Sequence, residues 1–90
     1  MVPKYRKPTH PGEILLDEFI KPLRITQSEL ANLMGVQVQT VNAIVNQRRD
    51  VTAEIAVRLG RALNTSSEFW MNLQTTCDLF EANKKLRKVA

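Results

Sequence analysis

Histidine and cysteine occur once each in the 90 residues, as His10 and Cys77. One cysteine closes no intrachain disulfide, and its use suits a reducing cytoplasm. A zinc site made of histidine and cysteine needs more ligands than these two. Glycine is nearly as scarce. Gly12, Gly35 and Gly60 are the only three, and they form no phosphate-binding loop. No apolar run is long enough to span a membrane. No apolar stretch follows Met-Val-Pro-Lys, as a secretory signal would require. No carboxylate spacing suggests an acid–base pair. The expectation is a cytoplasmic protein that is not an enzyme, with no catalytic residues, no metal and no cofactor.

What is present fits one small globular domain. Hydrophobic residues make up 43% of the chain and charged residues 24%, which is ordinary for a folded protein and not for a disordered one. A core this small is modest, and a homodimer interface would add to it. The net charge of +4 is unevenly placed. Residues 1–10 carry Lys4, Arg6 and Lys7 with no acid, and residues 84–90 carry Lys84, Lys85, Arg87 and Lys88. The body between holds six basic and nine acidic side chains. Basic ends can follow a phosphate backbone, although charged ends are also commonly just solvated.

The pattern along the chain is helical throughout. Residues 1–10 hold two prolines and read as an extended basic arm. Pro11 suits the first position of a helix, which runs to about Ile20, where Pro22 is expected to end it. His10 helps to start that helix. Thr26-Gln27-Ser28-Glu29 is a capping box. It opens a short helix carrying Leu30, Ala31, Leu33 and Met34, which Gly35 stops. A third helix starts after Val36 and runs to about Asn46, burying Val41, Ile44 and Val45. Its other face carries Gln39, Thr40, Asn42, Ala43 and Asn46. Thr52 caps a fourth helix that runs to about Leu63. Thr65-Ser66-Ser67-Glu68 signals a fifth, from about Ser67 to Asn83. The fold class is therefore all-α with five helices. The arm covers 1–10, the domain 11–83, and a basic tail 84–90.

Residues 26–46 carry the function. Two short helices meet at Gly35, and Ala31 is small enough to let the second approach closely. Val41 and Ile44 fill the space between them. The spacing from Ala31 to Gly35 to Val41 to Ile44 is that of a DNA-binding helix-turn-helix. A polar helix face is ordinarily only a solvated face, but this spacing turns the balance toward DNA contact. Gln39 is the first candidate for a base edge, because its amide can pair bidentately with adenine. Gln37, Asn42 and Asn46 are candidates for bases or phosphates. Thr40 and Gln27 lie near helix N-termini, where phosphate is readily held. Arg48 and Arg49 follow the recognition helix and suit the backbone, or the carbonyl end of the helix, or both.

The segment resembles the helix-turn-helix of the phage-repressor (Cro/C1, or XRE) superfamily. Gln27, Leu30-Ala31, Gly35-Val36, Thr40-Val41 and Arg48-Arg49 match its pattern. HPGEILLDEF over residues 10–19 and TSSEFWMNLQTTCDLFEA over 65–82 narrow the resemblance to the HigA-type antitoxins. That resemblance implies an antitoxin of a type II toxin–antitoxin module. Such a protein represses its own operon and neutralises a RelE-like, mRNA-cleaving toxin encoded beside it. Two positions depart from the pattern. Gln37 stands where many relatives place a capping serine, and glutamine caps poorly. Val38 is apolar where a polar base-reading residue is common, leaving it a thymine methyl or nothing to read.

Operator DNA, a second copy of the chain and the toxin are the partners expected. Two half-sites need a dimer. The fifth helix is the candidate dimerisation element, through Phe69, Trp70, Leu73, Cys77 and Phe80 in one wide arc and Leu79 off it. A free-standing XRE-family regulator with no toxin, or an interaction module that has lost DNA binding, are the alternatives.

Overall fold

A computed structural model of the chain describes residues 7–87. Lys4 and Arg6 of the arm, and Lys88 of the tail, lie outside the described residues. Five helices follow one another, and no strand occurs among the described residues. They are α1 (residues 11–23), α2 (Gln27–Met34), α3 (Val38–Val45), α4 (Ala53–Leu63) and α5 (Ser67–Arg87). None is long and apolar enough to cross a membrane.

Each helix start has a local cause. His10 caps α1, its Nδ1 accepting from the Gly12 amide at 2.9 Å. The Thr26 hydroxyl accepts from the Glu29 amide at 3.0 Å, and the Glu29 carboxylate accepts from the Thr26 amide at 2.8 Å. This is the reciprocal box that the sequence spells. Thr52 accepts from Ile55. At α5 the cap is Ser66, which accepts from Phe69. Thr65, its neighbour, instead accepts from the Trp70 indole at 2.8 Å.

Helix ends are made by left-handed residues. Arg24, Gly35, Gln47 and Asn64 all have φ between 56° and 72°. At each, the next amide reaches back five residues: Ile25 to Ile20, Val36 to Ala31, Arg48 to Ala43 and Thr65 to Gly60. That closure satisfies carbonyls which would otherwise be left without partners. Only Gly35 takes this conformation without a steric cost.

Pro22 does not end α1 after Ile20. The helix widens to π geometry over Leu15–Ile20, continues through Lys21–Leu23 and stops at Arg24. The Lys21 amide bonds back to Leu16, five residues away. Proline breaks a regular helix by lacking an amide and pressing on the carbonyl four residues back. A widened turn shifts the bonding frame and accommodates the ring.

The core joins all five helices. Leu15, Leu30, Val41, Ile44, Leu59 and Trp70 are fully buried, one or more from each helix. α1 packs on α3 and α5, α2 on α3 and α4, and α4 on α5. Leu33, which follows Leu30 and Ala31 in the apolar run of α2, is 61% exposed. The stripe needs only Leu30, Ala31 and Met34, so Leu33 falls on the outer side.

α5 departs from the expected helix in two ways. Trp70 is fully buried within the chain, its ring centroid 5.3 Å from that of Phe19, so it presents no surface to a second copy. The helix also runs one turn beyond Asn83, and Lys84, Lys85 and Arg87 are helical rather than a separate tail.

Candidate nucleic-acid interface

The helix-turn-helix is held from two sides, by α1 and α4. α2 meets α3 across the turn at Gly35 (φ 72°). α1 lies against the far end of α3, and its closest approach is at Gly12. A Cβ there would fall 2.8 Å from the Ile44 carbonyl carbon and overlap its oxygen. Only glycine allows the two backbones to touch in this way. From α4, the Arg58 guanidinium donates to the Met34 carbonyl at 2.8 Å and to the Gly35 carbonyl at 3.4 Å. It thereby ties the turn to the body, while also pairing with Glu54 at 3.1 Å.

α3 buries Val41, Ile44 and Val45 and turns its other side outward. Gln37, Val38, Gln39, Asn42 and Asn46 are exposed, and Thr40 and Ala43 are half-buried between them. Gln37 stands at the N-cap, and its side chain makes no cap bond. The first turn relies on the Gln37 carbonyl, which accepts from the Thr40 amide. Helix-start amides are thus left for another acceptor, as the sequence departure at Gln37 suggested. Asn42 donates to Gln27 at 3.2 Å across the two helices, so these two amides orient each other. Asn46 folds back to the Asn42 carbonyl. Arg48 and Arg49 follow the left-handed Gln47 and are exposed, with no ion pair among the described residues. Gln27 and the outer face of α3 are thus joined through Asn42, and Arg48 and Arg49 follow α3 in sequence as exposed cations.

Beside this surface lies a cleft of about 150 Å³ between residues 7–10, the α3–α4 loop and α5. Its walls include Lys7, His10, Gln47, Asp50, Cys77 and Phe80. Burial lowers the pKa of His10 despite the nearby carboxylates of Asp50, Asp78 and Glu13. That keeps Nδ1 unprotonated, as its role in accepting the Gly12 amide requires. Burial raises the pKa of Cys77, with Asp78 adding to it. The thiol, which donates to the Thr9 carbonyl at 3.5 Å, is therefore a poor nucleophile. No group of three or more metal-binding side chains occurs among the described residues.

Of the residues expected to pair two copies, Leu79 is 59% exposed, and Phe69 is partly covered by Phe19 and Trp70. Leu73, Cys77 and Phe80 are half-buried within the chain. Arg58 and Gln74, which hold the turn and the α3–α4 loop, were not singled out by the sequence. No local signal separates them from ordinary polar residues of amphipathic helices.

The family described as Helix-turn-helix matches residues 16–70. An uncharacterized HTH-type transcriptional regulator of Escherichia coli K12, YbaQ, is 44% identical over 82 residues, spanning 91% of this chain and 73% of that protein. Antitoxin HigA-1 of Vibrio cholerae is 38% identical over 85 residues, spanning 94% and 80%. The structure of the Pseudomonas aeruginosa antitoxin HigA with the higBA promoter superposes with a TM-score of 0.85 at 46% identity. It covers 90% of this chain and 88% of that one. The chain belongs to the helix-turn-helix family, in its HigA-type branch of XRE antitoxins.

Proposed function

We propose that this chain is a cytoplasmic DNA-binding antitoxin that occupies its own operator as a homodimer, represses its operon and neutralises a RelE-like mRNA-cleaving toxin. The observation that carries the DNA half is the exposed amide face of α3, with Arg48 and Arg49 at its end. A rigid helix displaying Gln39 between Gln37 and Asn42 has the donors and acceptors that a major groove presents for pairing. Arg48 and Arg49 fit phosphates on the flanking strand, and Gln27 lies near the start of α2, where another can be held. The homodimer reading is supported by Leu79 and Leu86, 59% and 68% exposed and seven residues apart on α5. A heptad interval places both on one face, suited to a matching helix.

The toxin half rests on kinship with proteins named as HigA antitoxins. The second reading, a regulator without a toxin, is favoured by the relative named as a transcriptional regulator. One experiment separates them. The chain is expressed with and without the small open reading frame beside its gene, and with a reporter behind its own promoter. The proposal expects reporter repression and relief of growth arrest caused by the neighbour. Repression without any toxic neighbour supports the regulator; an unrepressed reporter rejects both.

A further inference from the structure

The basic end of α5 is not used by the interface described above. The helix passes under the α3–α4 loop, where Gln74 accepts from the Val51 amide at 2.8 Å. Two turns on, Phe80 and Glu81 line the same cleft as Gln47 and Asp50. Side chains four and seven residues apart on a helix share a face. Lys84 and Arg87 therefore continue the face of Phe80, and Lys85 continues that of Glu81. The face that meets Gln47 is thus the face that turns basic. Gln47 is itself joined in sequence to Arg48 and Arg49.

All five cations are exposed. The two ion pairs among the described residues, Lys21–Asp17 and Arg58–Glu54, involve none of them. Six residues of helix rise about 9 Å, so the cations of α5 extend just past the loop. Between the two groups, Asp50, Asp78 and Glu81 lie at the cleft. These three carboxylates outnumber Lys7 in the lining and disfavour phosphate in the cleft itself, which leaves the cations on either side of it as the attractive positions.

We propose that Lys84 and Arg87, continuing the face of Phe80 at the end of α5, and Lys85, continuing that of Glu81 beside it, form a second phosphate-binding patch. Together with Arg48 and Arg49 it holds the DNA backbone beside the recognition helix. This rests on the DNA-binding reading above and adds a site to it. The contacts go to phosphate, so they strengthen binding to any duplex and carry no sequence preference. An alternative role for these residues is stabilisation of the carbonyl end of α5 alone.

The test is the triple variant Lys84→Gln/Lys85→Gln/Arg87→Gln, titrated by fluorescence anisotropy against the upstream duplex and a scrambled one at several salt concentrations. The substituted residues are exposed, so the fold is expected to survive, as circular dichroism will check. Sedimentation velocity will report whether pairing of two copies is intact. Each lost phosphate contact lowers the salt slope by about 0.9, so three contacts lower it by about 3 per protomer. Binding weakens by about tenfold or more on both duplexes, and their ratio stays constant. Unchanged affinity and slope overturn the proposal, as does a loss explained by dissociation of the dimer with the slope intact. A wild-type protein with no preference for its own duplex contradicts the operator reading but not this patch, which the scrambled duplex still reads. A protein that binds neither duplex overturns both.

Discussion

Gln74 offers the sharpest test of how the interface is held. It is 3% exposed, and both ends of its amide are used. Its oxygen accepts from the buried Val51 amide at 2.8 Å, and its nitrogen donates to Asp78 at 3.0 Å. The first bond fixes the loop between α3 and α4 onto α5. Gln74→Met keeps the length of the side chain and removes the acceptor. The Val51 amide is then buried with no partner, at a cost of about 1–3 kcal/mol. Asp78 is exposed and recovers its bond from water, so it adds little. A loss near 2 kcal/mol is a large share of the roughly 5–14 kcal/mol expected for a chain of this size. It lowers Tm by about 8–16 °C. Urea unfolding followed by circular dichroism, at one fixed protein concentration, measures it. Gln74→Glu separates the bond from the packing. It keeps an acceptor for Val51 but sets a second carboxylate against Asp78. Burial and Asp78 favour its protonated form, so this variant is destabilised at pH 7 and regains stability as pH falls toward 4. A change below about 0.5 kcal/mol in Gln74→Met, or a Gln74→Glu variant indifferent to pH, refutes the reasoning.

Three further outcomes follow from local geometry. Gly12→Ala forces α1 off the Ile44 carbonyl and costs roughly 2–3 kcal/mol, with weaker binding to DNA; a wild-type urea midpoint would contradict the close approach. Arg24→Gly relieves a left-handed arginine (φ 56°) and raises stability by about 0.5–1 kcal/mol; a lower Tm would argue against that strain. His10 has a folded pKa below its unfolded value near 6.5. Its contribution is therefore complete above pH 6.5 and is lost as pH falls through that window, when Nδ1 takes a proton and releases Gly12. Lys7, Glu13, Asp50 and Asp78 surround it. His10→Asn keeps a capping oxygen without the titration, so thermal unfolding between pH 7 and pH 5 should flatten relative to wild type. Equal slopes would assign the pH dependence to the carboxylates.

The helix-turn-helix was legible because its signals are local. Thr26 with Glu29, Thr52 and Gly35 each act within a few residues, so both ends of α2 and the start of α4 follow from the letters. Pro22 misled because a widened turn at Leu15–Ile20 absorbs it, with Leu15 and Ile20 buried in the core, and no residue type announces such a turn. The end of α5 was unreadable from periodicity, since residues 81–87 are exposed all round and lack a buried stripe. Trp70 and Leu79 both read as apolar helix residues. Only the tertiary fold sends one inward to meet Thr65 and Phe19 and leaves the other outside. Leu33 shows the same ambiguity on α2. Gln74 and Arg58 act across more than twenty residues of sequence, and no short-range pattern announces such a bond.

The central claim is that the outer face of α3 reads DNA, and a two-variant titration tests it most directly. Wild type, Gln39→Ala and Arg48→Ala are each titrated against the upstream duplex and its scrambled counterpart over a series of salt concentrations. Gln39→Ala is expected to lose about 1–3 kcal/mol of preference for the upstream duplex, with its salt slope unchanged. Arg48→Ala is expected to weaken both duplexes alike and to lower the slope by about 1. Retention of full preference by Gln39→Ala, together with an unaltered slope in Arg48→Ala, would contradict the account.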